Sequence, residues 1–293
     1  MDLHSLFETL RSYAPPYFFG TLVAGAFGAF AGAWAAGRVH TKRAIVAELN
    51  SISAALALCF SIRGLFIGLK KQHVRPLRDR FEQAKHEFQE ATKGRKGPVI
   101  YTLLTDFQTM TPVRAPTEAL ERHVFEKISL RGRALVAAVT LVGAIDGLDK
   151  SIKYRNDLIA EIQKKSPVPN NELVKKYFGL PTSEGIIDER FPMSIDAIYN
   201  QTDDCISFAG ILADDLLEYE AKLRRRHRWK LYWLGVPKSR AADWSLAETE
   251  GLIPPTEQYA AWLKGFKKEP TKWALLKSWL RAPGKSGKRD SKI

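Results

Sequence analysis

The sequence predicts an all-α membrane protein, with a single N-terminal transmembrane helix followed by a long-helix antiparallel bundle and short amphipathic C-terminal helices. An uncharged apolar run over residues 17–37 predicts the membrane helix. Farther along, three long stretches carry apolar residues at steps of three and four, which is typical of packed helices. With 45% hydrophobic and 26% charged residues, the composition indicates a folded core rather than global disorder.

These patterns divide the chain into four regions. Residues 1–16 are expected outside the cytoplasm, and residues 17–37 form the membrane helix. Residues 38–228 form a cytoplasmic helical bundle. Residues 229–293 form a basic, tryptophan-rich C-terminal region whose end is expected to be disordered.

The membrane helix is predicted from its length and from the aromatic residues at its ends. Its 21 residues span roughly 30 Å at ~1.5 Å per residue, which matches the hydrocarbon core of a bilayer. Tyr17 and Trp34 lie near the two ends, where amphipathic rings prefer the interface. A cleaved signal peptide and a buried core helix are the alternatives. The first is disfavoured by basic residues that follow the run rather than precede it, and the second by the lack of any polar face.

The flanking charges predict the orientation of this helix. One basic residue, Arg11, precedes it, whereas Arg38, Lys42 and Arg43 follow it. Because Lys and Arg near a span favour the cytoplasmic side, we expect a single-pass protein of the cell inner membrane, with its N-terminus outside and its C-terminus in the cytoplasm.

Small residues on the membrane helix suggest self-association. Gly28 and Gly32 form a GxxxG pair, which lets two helix backbones approach closely in lipid. The same spacing also arises by chance in glycine-rich membrane helices, so this interpretation stays open.

Three long helices are expected in the bundle. The first runs from about Thr41 to Gly68 and continues to about Thr92 with a bend near Pro76. The second covers about 116–163, and the third covers about 194–226. An alternative for residues 52–69 is a second membrane segment, which Arg63 disfavours because a charge is costly in lipid.

Local signals refine these boundaries. Ser194 is a candidate N-cap of the third long helix, since Ser is a common cap and Pro192 precedes it. A short helix is predicted over Asn171–Phe178, ended by Gly179 as its C-cap. A strand-like run, Val99 to Leu104, is too short to indicate a sheet.

Candidate catalytic and metal sites are weak. Two acidic pairs, Asp203–Asp204 and Asp214–Asp215, lie on one side of the third helix, and a solvated acidic face explains them better than a divalent cation. Glu82 and His86 are spaced for one metal ion but lack the partner ligands of a bundle site. Cys59 and Cys205 fit small core residues better than a disulfide. We therefore predict no catalytic residue, no metal and no cofactor.

The C-terminal region combines positive charge with tryptophan. From Lys222 onward there are 18 Lys/Arg against 6 Asp/Glu, and six of the seven tryptophans lie there. Docking on an anionic membrane surface is the favoured interpretation. Packing of the aromatic rings onto the bundle is a second interpretation, and nucleic-acid binding is a third and weaker one. The residues expected to bind the membrane surface or another anion are Arg224, Arg225, Arg226, Arg228, Trp229, Trp233, Trp262, Lys267, Lys268, Trp273 and Trp279.

These features favour a membrane-anchored helical scaffold, sensor or envelope effector that acts through oligomerisation and membrane-surface contact. Its expected partners are the lipid bilayer, further copies of the chain and anionic lipid. A membrane-tethered enzyme, or a nucleic-acid-binding protein with a site in the bundle or the basic tail, is the alternative.

Overall fold

The computed structural model describes residues 16–94, 107–165, 171–182, 184–231 and 235–266. Among these residues the regular structure is entirely helical, and no strand occurs. The predicted all-α class is therefore confirmed for the described part of the chain. The strand-like run Val99 to Leu104 lies outside it.

The N-terminal half is one very long helical rod. Helix α1 covers Pro16–Leu69, a π-helical turn covers Lys70–Val74, and α2 covers Arg75–Thr92. The predicted continuation to Thr92 is confirmed. A π-helical turn lies just before Pro76, and Pro76 itself lies in the first turn of α2, where a missing N–H costs little.

The first part of α1 extends away from the rest of the molecule. Every described side chain from Thr21 to His40 is exposed, although most of them are apolar. Phe27 and Phe30 are 70% and 72% exposed. The alternative of a buried core helix is therefore wrong for this segment. This rod, followed from Val23 to Thr92, is long and apolar enough by composition to cross a membrane.

The second part of α1 belongs to the core. Its buried residues recur at steps of three and four, as the sequence predicts for a packed helix: Ile45, Leu49, Ile52, Leu56, Cys59, Ile62 and Phe66. The apolar stretch 52–69 is thus used inside the bundle, which removes the reason for assigning it to a second membrane segment.

The second predicted helix is interrupted. Helix α3 covers Thr117–Glu121, a π-helical segment covers Arg122–Lys127, and α4 covers Arg133–Lys165. The prediction of one helix over 116–163 is therefore wrong. The break ends at Gly132, whose φ of +63° favours glycine and stops a continuous helix.

The last long helix begins earlier than predicted. The short α5 covers Asn171–Phe178, and Gly179 ends it with φ +65° while Leu180 N donates to the carbonyl of Lys175, as predicted for a glycine C-cap. Helix α6 then covers Arg190–Arg226. Ser194 is wrong as an N-cap, because it lies inside α6 and its hydroxyl donates to the carbonyl of Phe191 at 2.6 Å.

Contacts between side chains fix the directions of the long helices. Along α1 and α6, Glu48 pairs with Tyr219 and Lys70 pairs with Asp203, so these helices run in opposite directions. Helix α4 also runs opposite to α6, because Arg133, at its start, contacts Asp215 while the later Gly147 lies beside Gln201. We call the end of the bundle at residues 38–48 the proximal end.

Residues 235–266 form an excursion along the bundle, which we call the C-terminal strap. It runs away from the proximal end, from Ser239 beside Ser53 to Glu250 beside Lys71. It then returns along α6. The short helix α7 (Arg228–Leu231) precedes the strap, which contains α8 (Ser245–Thr249) and α9 (Ala260–Lys264).

Candidate membrane-facing surface and polar pocket

The C-terminal end of α6 lies at the proximal end. The Tyr219 hydroxyl donates to Glu48 Oε1 at 2.7 Å. Seven residues later, Arg226 is ~10 Å farther along α6, since a helix rises ~1.5 Å per residue. Because α1 runs in the opposite direction, Arg226 is level with about Thr41. It is therefore roughly one helical turn from Gly37, the end of the predicted membrane helix.

Basic side chains cluster at this end. Arg225, Arg226 and Arg228 are exposed, and so are Lys230 and Trp229, the latter at 80%. Helix α1 adds further exposed cations at the same level: Arg38, Lys42 and Arg43. We call these seven basic residues and Trp229 the proximal basic cluster.

The histidine beside this cluster has a lowered pKa. Partial burial of His227, followed in effect by the charges of Lys230 and Arg226, shifts its pKa below the ordinary value. His227 is therefore expected to be neutral at physiological pH, and it adds no charge to the cluster.

Arg224 has a structural role inside the chain. Its Nε donates to Glu220 Oε1 at 2.6 Å, and its guanidinium also donates to the carbonyls of Val236 and Pro237. Glu220 is almost fully buried and also accepts from the backbone N–H of Ser239. Arg224 therefore fastens the strap to α6, and these contacts do not favour its predicted role in anion binding.

The tryptophans of the described region divide into two kinds. Trp262 is half-buried and meets Phe208 edge-on at 5.1 Å, and Trp244 packs on Phe60 and Arg63. These two rings hold the strap on the bundle, as the packing interpretation expects. Trp229 is the opposite case, because its ring is exposed beside Arg228.

The remaining predicted tail residues lie outside the described part of the chain: Trp233, Lys267, Lys268, Trp273 and Trp279. The described chain stops at Phe266, which lines a cavity together with Arg133 and Lys222. Since Tyr219 lines the same cavity, the strap returns to the proximal end before residue 267 begins.

The predicted anchor residues are open to the surroundings. Adding a Cβ at Gly28 or Gly32 would meet no atom within 4 Å, so this face is free to accept another helix. Trp34 is 54% exposed, and the Arg38 guanidinium lies 3.5 Å from the centre of its ring. Tyr17 lies in the first turns of α1, and its side chain is not described.

The acidic pairs of α6 do not form a solvated face, so that expectation is wrong. Asp203 pairs with Lys70 at 2.5 Å, and Asp215 pairs with Arg133. Asp204 accepts a hydrogen bond from the Tyr259 hydroxyl at 2.9 Å. Only Asp214 is exposed, and it lies in the electrostatic field of Arg63.

Burial controls the protonation of these carboxyl groups. It raises the pKa of Asp203, Asp204 and Asp214 above the ordinary value of an aspartate. At Asp203 the Lys70 ammonium opposes this rise, and at Asp204 the Tyr259 hydroxyl does so. Partners from α1 and the strap therefore offset part of the cost of placing these charges between helices.

Asp203 and Asp204 border a polar pocket of about 490 Å3 between the π-helical turn, α2, α6 and the strap. Lys70 and Arg78 face it from the α1 side, and their charged groups lie 4.9 Å and 4.2 Å from the ring centre of Tyr199. Lys70 is 1% exposed. The described residues hold no group of three or more metal-ligating side chains, so Glu82 and His86 have no partners for a metal there.

The two cysteines are core residues, as predicted. Cys59 and Cys205 are buried and free, and burial raises the pKa of the Cys59 thiol to about 12. Both therefore remain neutral thiols at physiological pH, and neither has the character of a nucleophile.

No protein family, curated protein or solved structure matches the chain.

The pocket and the proximal basic cluster are composite features. Their residues come from the N-terminal rod on one side and from α6 and the segments after it on the other, and these two sets are more than 120 positions apart in the chain. The sequence signals for them are isolated: Lys70 at the end of an apolar run, and an arginine run followed by tryptophan. Neither signal tells which residues meet.

Proposed function

We propose that the chain is a membrane-anchored helical protein that holds its bundle against an anionic membrane surface through the proximal basic cluster. The proposal is supported by the position of the apolar helix relative to the exposed cations. An exposed apolar helix leaves the bundle at the same end at which the exposed cations and Trp229 are gathered.

The distances fit such contact. If residues 17–37 span the hydrocarbon core, Arg226 and Trp229 lie within ~10 Å of its boundary, which is the depth of the headgroup layer. Tryptophan prefers this layer, and each Lys or Arg near an anionic surface contributes about 1 kcal/mol.

The exposed cations of the cluster also favour the inner leaflet. Arg38, Lys42 and Arg43 follow the anchor directly, which supports a cytoplasmic bundle in the inner membrane by the positive-inside rule. Attachment of a small tag to either end, followed by protease treatment of cells whose outer membrane has been opened, tests the orientation. Protection of the N-terminal tag and loss of the C-terminal tag would refute it.

The electrostatic contact is tested with the chain from residue 38 onward, which leaves out the anchor. Its binding to vesicles with and without anionic lipid is measured by cosedimentation. Changing Arg225, Arg226 and Arg228 to Gln should weaken binding to anionic vesicles about a hundredfold, since three contacts of about 1 kcal/mol are lost.

A matched control removes the same charge elsewhere. Lys150, Lys153 and Lys164 are exposed on α4 away from the proximal end, and their change to Gln should leave vesicle binding nearly unchanged. Equal losses in both variants would indicate unspecific attraction and would refute a docking surface. Tighter binding to RNA or DNA than to vesicles at the same salt would favour the nucleic-acid alternative.

Self-association through the anchor is the second part of the proposal. It is supported by the open small-residue face at Gly28 and Gly32. Crosslinking of the full chain in native membranes should give a defined oligomer that is lost when both glycines become Leu. Ala26→Leu, on the opposite face of the helix, is the control. An unchanged crosslinking pattern in the double-glycine variant would contradict this role.

A further inference from the structure

The polar pocket beside Lys70 has three features that a purely structural contact does not require. First, it adjoins the π-helical turn Lys70–Val74, a widened turn of the kind often found at functional sites. Second, it contains the buried ion pair of Lys70 with Asp203, whose side chains are 2% and 10% exposed. Third, an open volume of about 490 Å3 lies next to this pair, within the usual range of small-molecule sites.

The buried ion pair is costly to retain for stability alone. Desolvation of two charges often exceeds their attraction, and an apolar pair of similar volume frequently gives equal or greater stability. The second acid, Asp204, adds another half-buried carboxylate whose pKa burial raises. A positively charged group of a ligand would stabilise the ionised form of this carboxylate.

The charges of the pocket lie on two sides. Lys70 reaches it from the π-helical turn and Arg78 from α2, and the charged groups of both lie close to the ring of Tyr199. Asp203 and Asp204 reach it from α6. The four charged lining residues therefore sum to zero, so a ligand with a single net charge would remain uncompensated, whereas a dipolar ligand would meet an opposite charge at each end.

The groups nearest to solvent are suited to the two ends of such a ligand. Arg78 is loosely held, because its partner Asp196 is 3.4 Å away and 52% exposed. A guanidinium binds a carboxylate through two parallel hydrogen bonds, so Arg78 suits the carboxylate end of the ligand. Asp204 accepts from Tyr259 through Oδ1. A carboxylate offers about four lone-pair sites, so Asp204 retains capacity to accept from an ammonium group.

We propose that this pocket binds a small zwitterion of the α-amino acid class, with the ligand carboxylate on Arg78 and its ammonium group on Asp204. The exposed amides of Asn200 and Gln258 lie at the pocket and supply further polar contacts. Because the strap forms one wall, the bound ligand ties the strap to α2 and α6. The proposal does not rest on membrane docking.

The test uses the purified full chain in detergent. Its thermal unfolding is followed with each of the common free amino acids at millimolar concentration, and with the matching amine and carboxylic acid that lack one of the two charges. At least one amino acid should raise the melting temperature, because a ligand that binds only the folded state stabilises it. Its singly charged analogues should not.

Two variants locate the site. Arg78→Ala and Asp204→Asn should each weaken the binding of that amino acid by about tenfold to a hundredfold, the usual value of one charge-assisted hydrogen bond. Lys153→Ala, on the exposed face of α4, should bind like the parent. Circular dichroism of each variant shows whether the helices remain folded.

Three results would overturn the proposal. The first is a panel in which no amino acid shifts the melting temperature. The second is equal stabilisation by the amine or the acid alone, which would identify a simple ion site. The third is parent-like binding by folded Arg78→Ala and Asp204→Asn. None of these results bears on vesicle binding by the proximal basic cluster, so the two proposals fail separately.

Discussion

Charged residues between the helices are held by partners from distant parts of the chain. Lys70 and Asp203 join α1 to α6, Arg133 joins α4 to Asp215, and Glu220 joins α6 to the strap. Buried charges of this kind cost desolvation energy, and their partners offset it. The protonation state of each such group therefore affects the stability of the fold.

Asp204 gives a pH-dependent prediction. Burial raises its pKa in the folded state above the unfolded value of 3.8, so its contribution is favourable when protonated and is lost as pH rises through the folded pKa. Asp204→Asn keeps an acceptor for Tyr259 and removes the ionisation. The variant should therefore melt higher than the parent at pH 7, and this advantage should shrink as pH falls toward 4.

The measurement is a series of melting temperatures for parent and variant at matched pH values. Asp243→Asn serves as the control, because this carboxyl group is exposed and its pKa is lowered by hydrogen bonds from Ser245. That control should show no advantage at pH 7. A difference between Asp204→Asn and the parent that does not change with pH would contradict the assigned burial effect.

Glu220 provides a second prediction at a single residue. Its buried carboxylate accepts from Arg224 and from the backbone of Ser239, and Gln would reproduce its shape without its charge. Glu220→Gln should lower the free energy of unfolding by about 1–3 kcal/mol, the value of charge-assisted hydrogen bonds. Urea unfolding of the full chain in detergent, followed by circular dichroism, measures the change.

An exposed ion pair is the comparison for Glu220. Glu90 lies 3.5 Å from Lys93, and both side chains are more than half exposed. Glu90→Gln should change the free energy of unfolding by less than about 0.5 kcal/mol. Similar losses in the two variants would mean that Glu220 does not fasten the strap.

Individual helices follow the sequence where an apolar pattern decides and depart from it where backbone geometry decides. The seam of α6 is buried as its spacing predicts, from Ile195 through Leu216. Its start is not predicted, because Pro192 is compatible with a first helical turn and helix formation can begin before it. The break before α4 depends on the positive φ of Gly132, which many helical glycines do not adopt.

The candidate sites were less accessible to sequence reasoning than the helices. The acidic pairs of α6 suggest a solvated face until the cations on α1 and α4 are placed beside them. No local pattern marks Lys70 as the partner of Asp203, since 133 positions separate them and the pairing depends on the relative shift of two antiparallel helices. The sequence predicts only part of the proximal basic cluster. The arginine run at the end of α6 is apparent, but its position beside Thr41 of α1 is not.

The C-terminal end of α5 gives a prediction for one element. Gly179 has φ +65°, and a Cβ there would lie 3.0 Å from Pro192 Cγ. Gly179→Ala should therefore destabilise the chain by about 1–3 kcal/mol through backbone strain and crowding against α6. Gly143→Ala in α4 should have the opposite sign and stabilise by about 0.5–1 kcal/mol, since nothing lies within 4 Å of its Cβ position. Thermal unfolding of both variants measures the contrast, and destabilisation by both would contradict the geometry.

The molecule as a whole divides into the exposed first part of α1, residues 21–40, and a bundle that does not depend on it. The described side chains from Thr21 to His40 make no buried contact, and the core begins at Ile45. A chain that starts at residue 38 should therefore keep the helical circular dichroism of the bundle. Its melting temperature should equal that of the full chain in the same detergent, because deletion of the residues before 38 removes none of the packed surface.

The same deletion separates anchoring from folding. The full chain should remain in membranes after carbonate washing, whereas the chain from residue 38 should appear in the soluble fraction and bind anionic vesicles reversibly at low salt. Loss of the full chain from carbonate-washed membranes would refute the anchor. A melting temperature that falls sharply on deletion would instead mean that residues 16–37 pack on the bundle in the native molecule. The exposure of the anchor would then be wrong, and so would the position assigned to the proximal basic cluster relative to α1.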